Sequence, residues 1–444
     1  MVKVITYGTY DMLHYGHIRL LERAKELGDY LIVGVTADDF DMTRGKINVQ
    51  QSLMERVEGV RATGLADEII IEEYEGQKID DIRRYDVDIF TVGSDWKGKF
   101  DYLKEYCQVV YLDRTKGISS TEIREKERFQ KLGIIGESPE LSKLVNESGY
   151  VNGISVEAIF SETPEKIPDN LREEYKTYNN INQFFDSIDA VYIRSVPSKH
   201  YEHIKMALEK GKHVLCESPM TIDVNQCKEL YRLATEKKCI LMEAIKTAYN
   251  TAFSRLILLA KDLRIGNIVS VDANCTSLRL PQNIDKDNVW NSICDWGPTA
   301  MLPIFELLGG NYKKKHIVTH IVNEEKRFDD FTKIDFVYEN AVASIKVGIG
   351  VKTEGELVIS GTKGYIYVPA PWWKTDYFEI RYENATENKR YFYQLDGEGI
   401  RYELVAFVRA INKGRVVKFI SEEISEAIVS VLDDFYKNID VMKI

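Results

Sequence analysis

Short apolar runs separated by helical spacings dominate the first half of the chain. Residues 2–6 (VKVIT) read as a buried strand and residues 8–11 as a turn. From His17 to Leu27 apolar residues recur at Ile18, Leu21 and Ala24, the spacing of one helix face. LIVGV (31–35), DEIII (67–71), DIFTV (88–92) and VVYL (109–112) follow, with helical stretches between them. Strands alternating with helices predict βαβ units and a parallel sheet. The charged segment 121–131 (TEIREKERFQK) predicts a helix and a domain boundary. A second α/β series then begins, with strands LGIIG (132–136), ISVEAIF (154–160), DAVYIRS (189–195) and KHVLCE (212–217), and a helix at 200–211. From about residue 265 alternating strands are joined by Gly or Asn turns with few helices between, which predicts an antiparallel sheet.

A length of 444 residues is too great for one ordinary core, and 44% hydrophobic with 29% charged residues is the balance of a soluble globular protein. No apolar run approaches the roughly 18 residues that span a bilayer. The opening MVKVITYGTYD lacks the basic-then-apolar order of a signal peptide. Six cysteines (Cys107, Cys216, Cys227, Cys239, Cys275, Cys294) show no CxxC spacing. That argues against a zinc site or a disulfide framework and fits a cytoplasmic location. A net charge of −11 disfavours nonspecific nucleic-acid binding, yet leaves room for a local basic pocket that takes a nucleotide. The expectation is a chain with no nucleic-acid or membrane partner and no metal held by its own side chains.

The stretch Gly8-Thr9-Tyr10-Asp11-Met12-Leu13-His14-Tyr15-Gly16-His17 carries the chemistry. A strand ends, the chain turns, and a helix opens at the second histidine. Strand ends of an open parallel sheet carry the crevice, and a helix N-terminus offers free N–H groups to a phosphate. Gly16 lets the backbone approach closely. This string resembles the HxGH signature of the cytidylyltransferase superfamily. Arg114-Thr115-Lys116-Gly117-Ile118-Ser119-Ser120-Thr121 resembles that family's RTxGISTT motif, and residues 92–100 (VGSDWKGKF) its GDDWxGKF stretch. The resemblance runs through nearly all of residues 1–127 and belongs to the glycerol-3-phosphate branch.

The resemblance implies cytidylyl transfer from CTP, with Mg²⁺ on the triphosphate, to a small phosphorylated polyol. A phosphate monoester is largely ionised at neutral pH, with a second pKa of about 6, so the catalyst positions and stabilises charge. His14 and His17 would donate to the α-phosphate and the leaving oxygen; Lys46 and Arg114 would hold phosphate oxygens. Gly8, Thr9, Tyr10, Asp11, Gly16, Asp95, Trp96, Thr115, Gly117, Ile118, Ser119 and Thr121 complete the implied CTP site. Arg56 and Asp67 fall on implied acceptor positions, with structural ion pairs as the other reading of Asp11 and Arg56. A basic residue usual shortly before Asp67 is missing, and Arg61 is the nearest. This departure leaves the acceptor open between glycerol 3-phosphate and another polyol phosphate, with ribitol 5-phosphate as a candidate.

Residues 131–444 resemble the Gfo/Idh/MocA oxidoreductases, through residues 189–219, Glu243-Ala244, residues 265–273, Asp295-Trp296-Gly297 and residues 397–411. The implied fold is a Rossmann-like nucleotidyltransferase domain (1–128), a Rossmann dinucleotide-binding domain (129–248) and an α/β domain with an open, mainly antiparallel sheet (249–444). Motif positions depart from the family. The fingerprint reads Gly136-Glu137-Ser138-Pro139-Glu140-Leu141, E-K-P reads Glu217-Ser218-Pro219, and the histidine of D-x-G-x-H is Thr299. Gly136, Ser138, Glu162, Ser195, Glu217 and Pro219 are the expected contacts of NAD or NADP, and Lys246 replaces the missing lysine as proton donor. His200 is read as a packing and capping residue. Two readings stay open: an active reductase that supplies a polyol phosphate for a CDP-alditol, and a silent scaffold. A homo-oligomer, dimer or tetramer, is expected from both resemblances.

Overall fold

The computed structural model describes residues 1–11, 13, 15–37, 49, 51–74, 76–113, 130–278, 290–393, 395, 397–414 and 419–444. The chain forms two compact units, Met1–Phe129 and Gln130–Ile444. In the first, β1 (Lys3–Gly8), β2 (Tyr30–Thr36), β3 (Glu68–Glu72), β4 (Ile89–Gly93) and β5 (Gln108–Leu112) make a parallel sheet in the order β3-β2-β1-β4-β5. Successive strand residues face opposite sides. Val4, Leu31 and Val33 pack with Leu21, Val57 and Val60 of the helices Tyr15–Lys25 and Leu53–Ala62, while Ile5, Ile32 and Phe90 pack with Ile82 and Leu103 on the other side. Burial on both sides explains why these strands read as continuous apolar runs. Gly34 is required within β2, because a Cβ there would lie 2.2 Å from the Tyr7 ring.

The second unit opens with a parallel sheet of β6 (Gln130–Ile135), β7 (Ile154–Phe160), β8 (Lys176–Tyr178), β9 (Ala190–Ile193), β10 (His213–Glu217) and β11 (Leu241–Ala244), in the order β11-β10-β9-β6-β7-β8. Gln130 and Lys131, expected at the end of a helix, begin β6; the rest of that expected helix lies outside the described residues. A nine-stranded sheet follows, built from β12 (Ile268–Thr276), β13 (Lys314–Asn323), β14 (Phe328–Val337), β15 (Val342–Gly348), β16 (Leu357–Gly361), β17 (Gly364–Val368), β18 (Tyr377–Tyr382), β19 (Lys389–Phe392) and β20 (Val441–Lys443). It is mainly antiparallel, but β12 runs parallel to β15 and β13 to β20. Between β12 and β13 lies a helix that the periodicity did not predict, Ser292–Leu308, with Pro298 and Pro303 inside it. Asn291 caps it by accepting from the Cys294 N–H at 3.2 Å, and buried Met301, Leu302, Ile304 and Phe305 hold it on the core. Burial of this size, roughly 1.5–3 kcal/mol for each large apolar side chain, outweighs the prolines' helix-breaking cost of about 3 kcal/mol apiece.

Both domains of the second unit share one core. Leu141 and Leu144 of the helix Leu141–Ser148 cluster with Leu404 and Phe407 of the helix Ile400–Lys413. Buried Glu147 seals the contact: its carboxylate accepts from the backbone N–H of Glu398 and, at 2.9 Å, of Arg401, and pairs with the Arg401 side chain at 3.3 Å. An anion here also complements the positive end of that helix.

Candidate functional site

In the first sheet the strand order reverses between β1 and β4, and a crevice at strand carboxyl ends forms at such a reversal. The register Thr6↔Thr91 sets Gly8 level with Gly93, so Thr9, Tyr10 and Asp11 leave β1 beside the turn Ser94–Trp96 that leaves β4. Tyr10 is buried with φ 52, and its ring folds back so that a Cβ on Gly8 would meet it at 3.0 Å. The centroids of this ring and the His17 ring lie 5.6 Å apart, with the two planes at 72°. His17, just after Gly16, occupies the first turn of the helix Tyr15–Lys25, the positive end of its dipole, which favours an anion. Trp96 carries the Lys99 ammonium 5.2 Å over its ring. His14, Lys46, Arg114, Thr115, Gly117, Ile118, Ser119, Thr121 and the side chain of Asp95 lie outside what is described.

Of the two expected acceptor contacts, Asp67 lies away from this crevice and Arg56 is engaged with backbone carbonyls beside it. Asp67 precedes β3, at the amino end of the sheet, where its carboxylate pairs with Lys25 and accepts from the Leu31 N–H at 2.6 Å. Hydrogen bonds from Leu31 and Lys25 hold its carboxyl below the usual range against the opposing effect of burial. Arg56 is fully buried and donates to the carbonyls of Thr9 (2.7 Å), Thr36 (2.8 Å) and Gln51 (3.1 Å). It therefore fixes the ends of β1 and β2 rather than facing open solvent. Asp11 does similar work, accepting from the Gln51 N–H at 2.9 Å. A buried polar network beside these strand ends had no signal in the sequence. Lys78 pairs with Glu72, Thr36 donates to Glu72 at 2.9 Å, and the Tyr7 hydroxyl donates to Asp81 at 2.9 Å. Burial, then the Asp81 carboxylate, pushes the Tyr7 phenol up.

In the second unit a cavity of about 910 Å³ opens at the carboxyl ends of β6, β7, β9, β10 and β11, at the reversal between β6 and β9. Trp296, Trp373 and Thr299 close it from the other domain. The volume lies within the roughly 300–1,000 Å³ of cofactor sites. Gly136 has φ 156, and a Cβ there would lie 3.0 Å from the Arg194 carbonyl, so the first fingerprint glycine keeps its reason. Ser138 instead accepts from the Glu140 N–H at 3.2 Å, in the turn before the helix Leu141–Ser148. A dinucleotide fits the cavity and the strand-end geometry, with a side chain where the second glycine usually stands.

Ser218 fills the place of the family's lysine and donates to buried Glu243, which also accepts from Ser425. Burial raises the Glu243 carboxyl. His200 is buried and does not line the cavity; its ring nitrogens lie 2.7 Å from the carbonyls of Pro219 and Ser195. The Ser195 hydroxyl lies 2.9 Å from His203 Nδ1, and burial lowers His203 to about 4. Glu217 pairs with Arg194 and accepts from the Tyr192 hydroxyl at 2.9 Å. Burial opposes its ionisation, but Arg194 and then Lys246 hold it below the usual range. Glu403 reaches the same Tyr192 hydroxyl at 3.0 Å, and burial, reinforced by Glu217, raises it well above the ordinary value. Lys246 lines the cavity just after β11 and acts on both carboxyls. Glu162 is spent on an exposed pair with Lys199, at 2.9 and 3.1 Å.

Among the described residues no helix is long and apolar enough to cross a membrane, and no group of three or more His, Cys, Asp or Glu is placed to hold a metal. Residues 5–126 match the cytidylyltransferase-like family model, and residues 131–245 match the oxidoreductase family, NAD-binding Rossmann fold. The glycerol-3-phosphate cytidylyltransferase of Bacillus spizizenii is 54% identical over 125 residues, 28% of this chain and 96% of that protein. That of Staphylococcus aureus is 49% identical over 130 residues, again 28% of this chain and 95% of that protein. A trans-1,2-dihydrobenzene-1,2-diol dehydrogenase of Xenopus laevis is 23% identical over 286 residues, 62% of this chain and 84% of that protein. A solved 3-ketoreductase from Actinomadura kijaniata, in complex with NADP and TDP-benzene, superposes with a TM-score of 0.63 at 19% identity, covering 71% of this chain and 99% of that one. The architecture supports a cytidylyltransferase-type reaction coupled to an NAD(P)-dependent oxidoreductase reaction. The chain belongs to the cytidylyltransferase-like family through its first unit, which is fused to an oxidoreductase domain of the Gfo/Idh/MocA kind.

Proposed function

We propose that the first unit transfers CMP from CTP to a small polyol phosphate, of the glycerol 3-phosphate or ribitol 5-phosphate kind, and releases pyrophosphate. An oxygen of the acceptor's phosphate attacks the α-phosphorus. The bond from that phosphorus to the bridging oxygen breaks, and pyrophosphate leaves with the electron pair. His17 donates to the developing charge from the first turn of its helix, with Tyr10 packed on its edge. His14, Lys46 and Arg114 are proposed to hold the remaining phosphate oxygens, and Mg²⁺ to ride on the triphosphate. The observation that carries this reading is the meeting of the β1 loop, with His17, and the β4 turn, with Trp96, at one reversal of strand order.

The second unit is proposed to reduce the keto or aldose phosphate from which the acceptor polyol derives. The bound nicotinamide, NADH or NADPH, supplies the hydride. Lys246 supplies the proton to the carbonyl oxygen, beside Glu217, which is held below the usual carboxyl range, and Glu403, which burial raises above it. The end product of the two steps would be a CDP-alditol for a cell-surface polymer, made by a cytoplasmic homo-oligomer. Ser138 and the tying of Ser218 to Glu243 favour a second reading, a silent module; the cavity and Lys246 oppose it.

Pyrophosphate release from CTP and Mg²⁺ across a panel of polyol phosphates tests the first half. Turnover with one polyol, reduced at least about a hundredfold in His17→Ala, is the expected result. No turnover with any polyol, from folded protein, refutes it. For the second half, Lys246→Met should abolish NAD(P)H oxidation by the matching keto or aldose phosphate while leaving dinucleotide binding in place.

A further inference from the structure

We propose that Glu137 makes the dinucleotide site of the second unit select NAD(H) and reject NADP(H). The proposal rests on the reading that this cavity takes a nicotinamide dinucleotide. The adenosine ribose of such a cofactor lies at the end of the second strand of the sheet, here β7. An acid there accepts from the ribose hydroxyls, whereas basic and hydroxyl groups accommodate a 2′-phosphate.

Beyond β7 the chain offers Ser161, Thr163 and Lys166, two hydroxyls and an ammonium, all lining the cavity. Alone, they would be a phosphate-binding set. They are already engaged by one anion. Glu137, from the loop after β6, accepts from the Ser161 hydroxyl at 2.8 Å and from the Thr163 hydroxyl through the same oxygen, and its other oxygen lies 3.7 Å from the Lys166 ammonium. The carboxylate thus stands where the extra phosphate of NADP(H) would need to sit. A phosphate carries about −1.5 to −2 charges and would meet a like charge there. A ribose diol brings no charge and can donate to the same carboxylate.

Glu162, the acid that its position after β7 singles out, is turned to the exposed Lys199. The two acids divide the roles: Glu137 faces the donors of the site, and Glu162 braces the next helix. A glutamate directly after the first fingerprint glycine is then a selectivity device rather than a sign of decay.

The test is fluorescence titration of the full chain with NADH and with NADPH, read as dissociation constants. The wild type should bind NADH at least about tenfold more tightly. Glu137→Gln keeps the size and removes the charge, and should bring the two cofactors to parity or reverse their order. Lys166→Ala in that background should remove the gained NADPH affinity, which mere loosening of the loop would not do. Circular dichroism checks that each variant is folded. Equal NADH and NADPH affinity in the wild type, or an unchanged ratio in both Glu137→Gln and Glu137→Ala, overturns the proposal while the oxidoreductase reading stands. Binding of neither cofactor to the wild type or to any variant overturns that reading, and the proposal with it.

Discussion

Replacing Arg56 by alanine separates an acceptor ligand from an internal brace. Its guanidinium donates to the carbonyls of Thr9, Thr36 and Gln51, and none of its surface is exposed. Charge-assisted bonds of this kind contribute about 1.5–3 kcal/mol each, and part of the loss is recovered when water enters the vacated space. A net cost of about 3–5 kcal/mol is expected, a large share of the roughly 5–15 kcal/mol that holds a domain. For a unit of this size that is a drop of roughly 10–20 °C in the first unit's calorimetric transition. Arg56→Lys restores one donor group and should recover about half. Cytidylyl transfer, measured below the transition, should show a fall in kcat as the Thr9–Asp11 loop loosens, with a smaller change in acceptor KM. An alanine variant that melts within about 2 °C of the wild type yet raises acceptor KM tenfold would refute this reasoning and return Arg56 to the acceptor site.

Lys78→Met leaves the Glu72 carboxylate buried without its partner and should cost about 3–5 kcal/mol in urea unfolding of the first unit, whereas Lys78→Met with Glu72→Leu should recover most of it. Burial raises the Asp329 carboxyl to about 7, above an unfolded value near 4. A raised carboxyl binds its proton more tightly in the folded state, so its effect on stability is fully present below pH 4 and is lost progressively up to pH 7. Asp329→Asn can keep both contacts, from the Ile293 N–H and with the Thr332 hydroxyl, and should gain on the wild type as pH rises from 4 to 7 and no further. Denaturation midpoints at pH 4.5, 6 and 8 check this, and a constant difference across them contradicts it.

The sequence revealed the strands better than the site. Val4–Ile5, Leu31–Val33 and Val214–Leu215 are buried on both sides, so their apolar runs announce them without need of alternation. The helix Ser292–Leu308 was invisible because Pro298 and Pro303 read as breakers, and only tertiary burial overrides them. Strand direction decided the fate of Asp67: one residue before a strand means the amino end of a parallel sheet, opposite the crevice. The partnership of Glu137 with Ser161 and Thr163 spans two strand ends, more than twenty residues apart, and no local pattern reports it. The helix Tyr15–Lys25 was legible because the turn at Gly8–Asp11 and the apolar spacing from Ile18 mark its start.

Glu147 bears on how the second unit could be taken apart. Its bonds to the start of the helix Ile400–Lys413, with Leu141 and Leu144 packed on Leu404 and Phe407, bind the first βα unit of the second sheet to nearly the last helix of the chain. The peptide between Ala244 and Thr251 is therefore not what keeps the two domains together. A chain cut there should behave like a split protein, whose halves migrate as one species and separate only under denaturant. For the same reason neither domain is a portable module: recombination that exchanges one must carry the other.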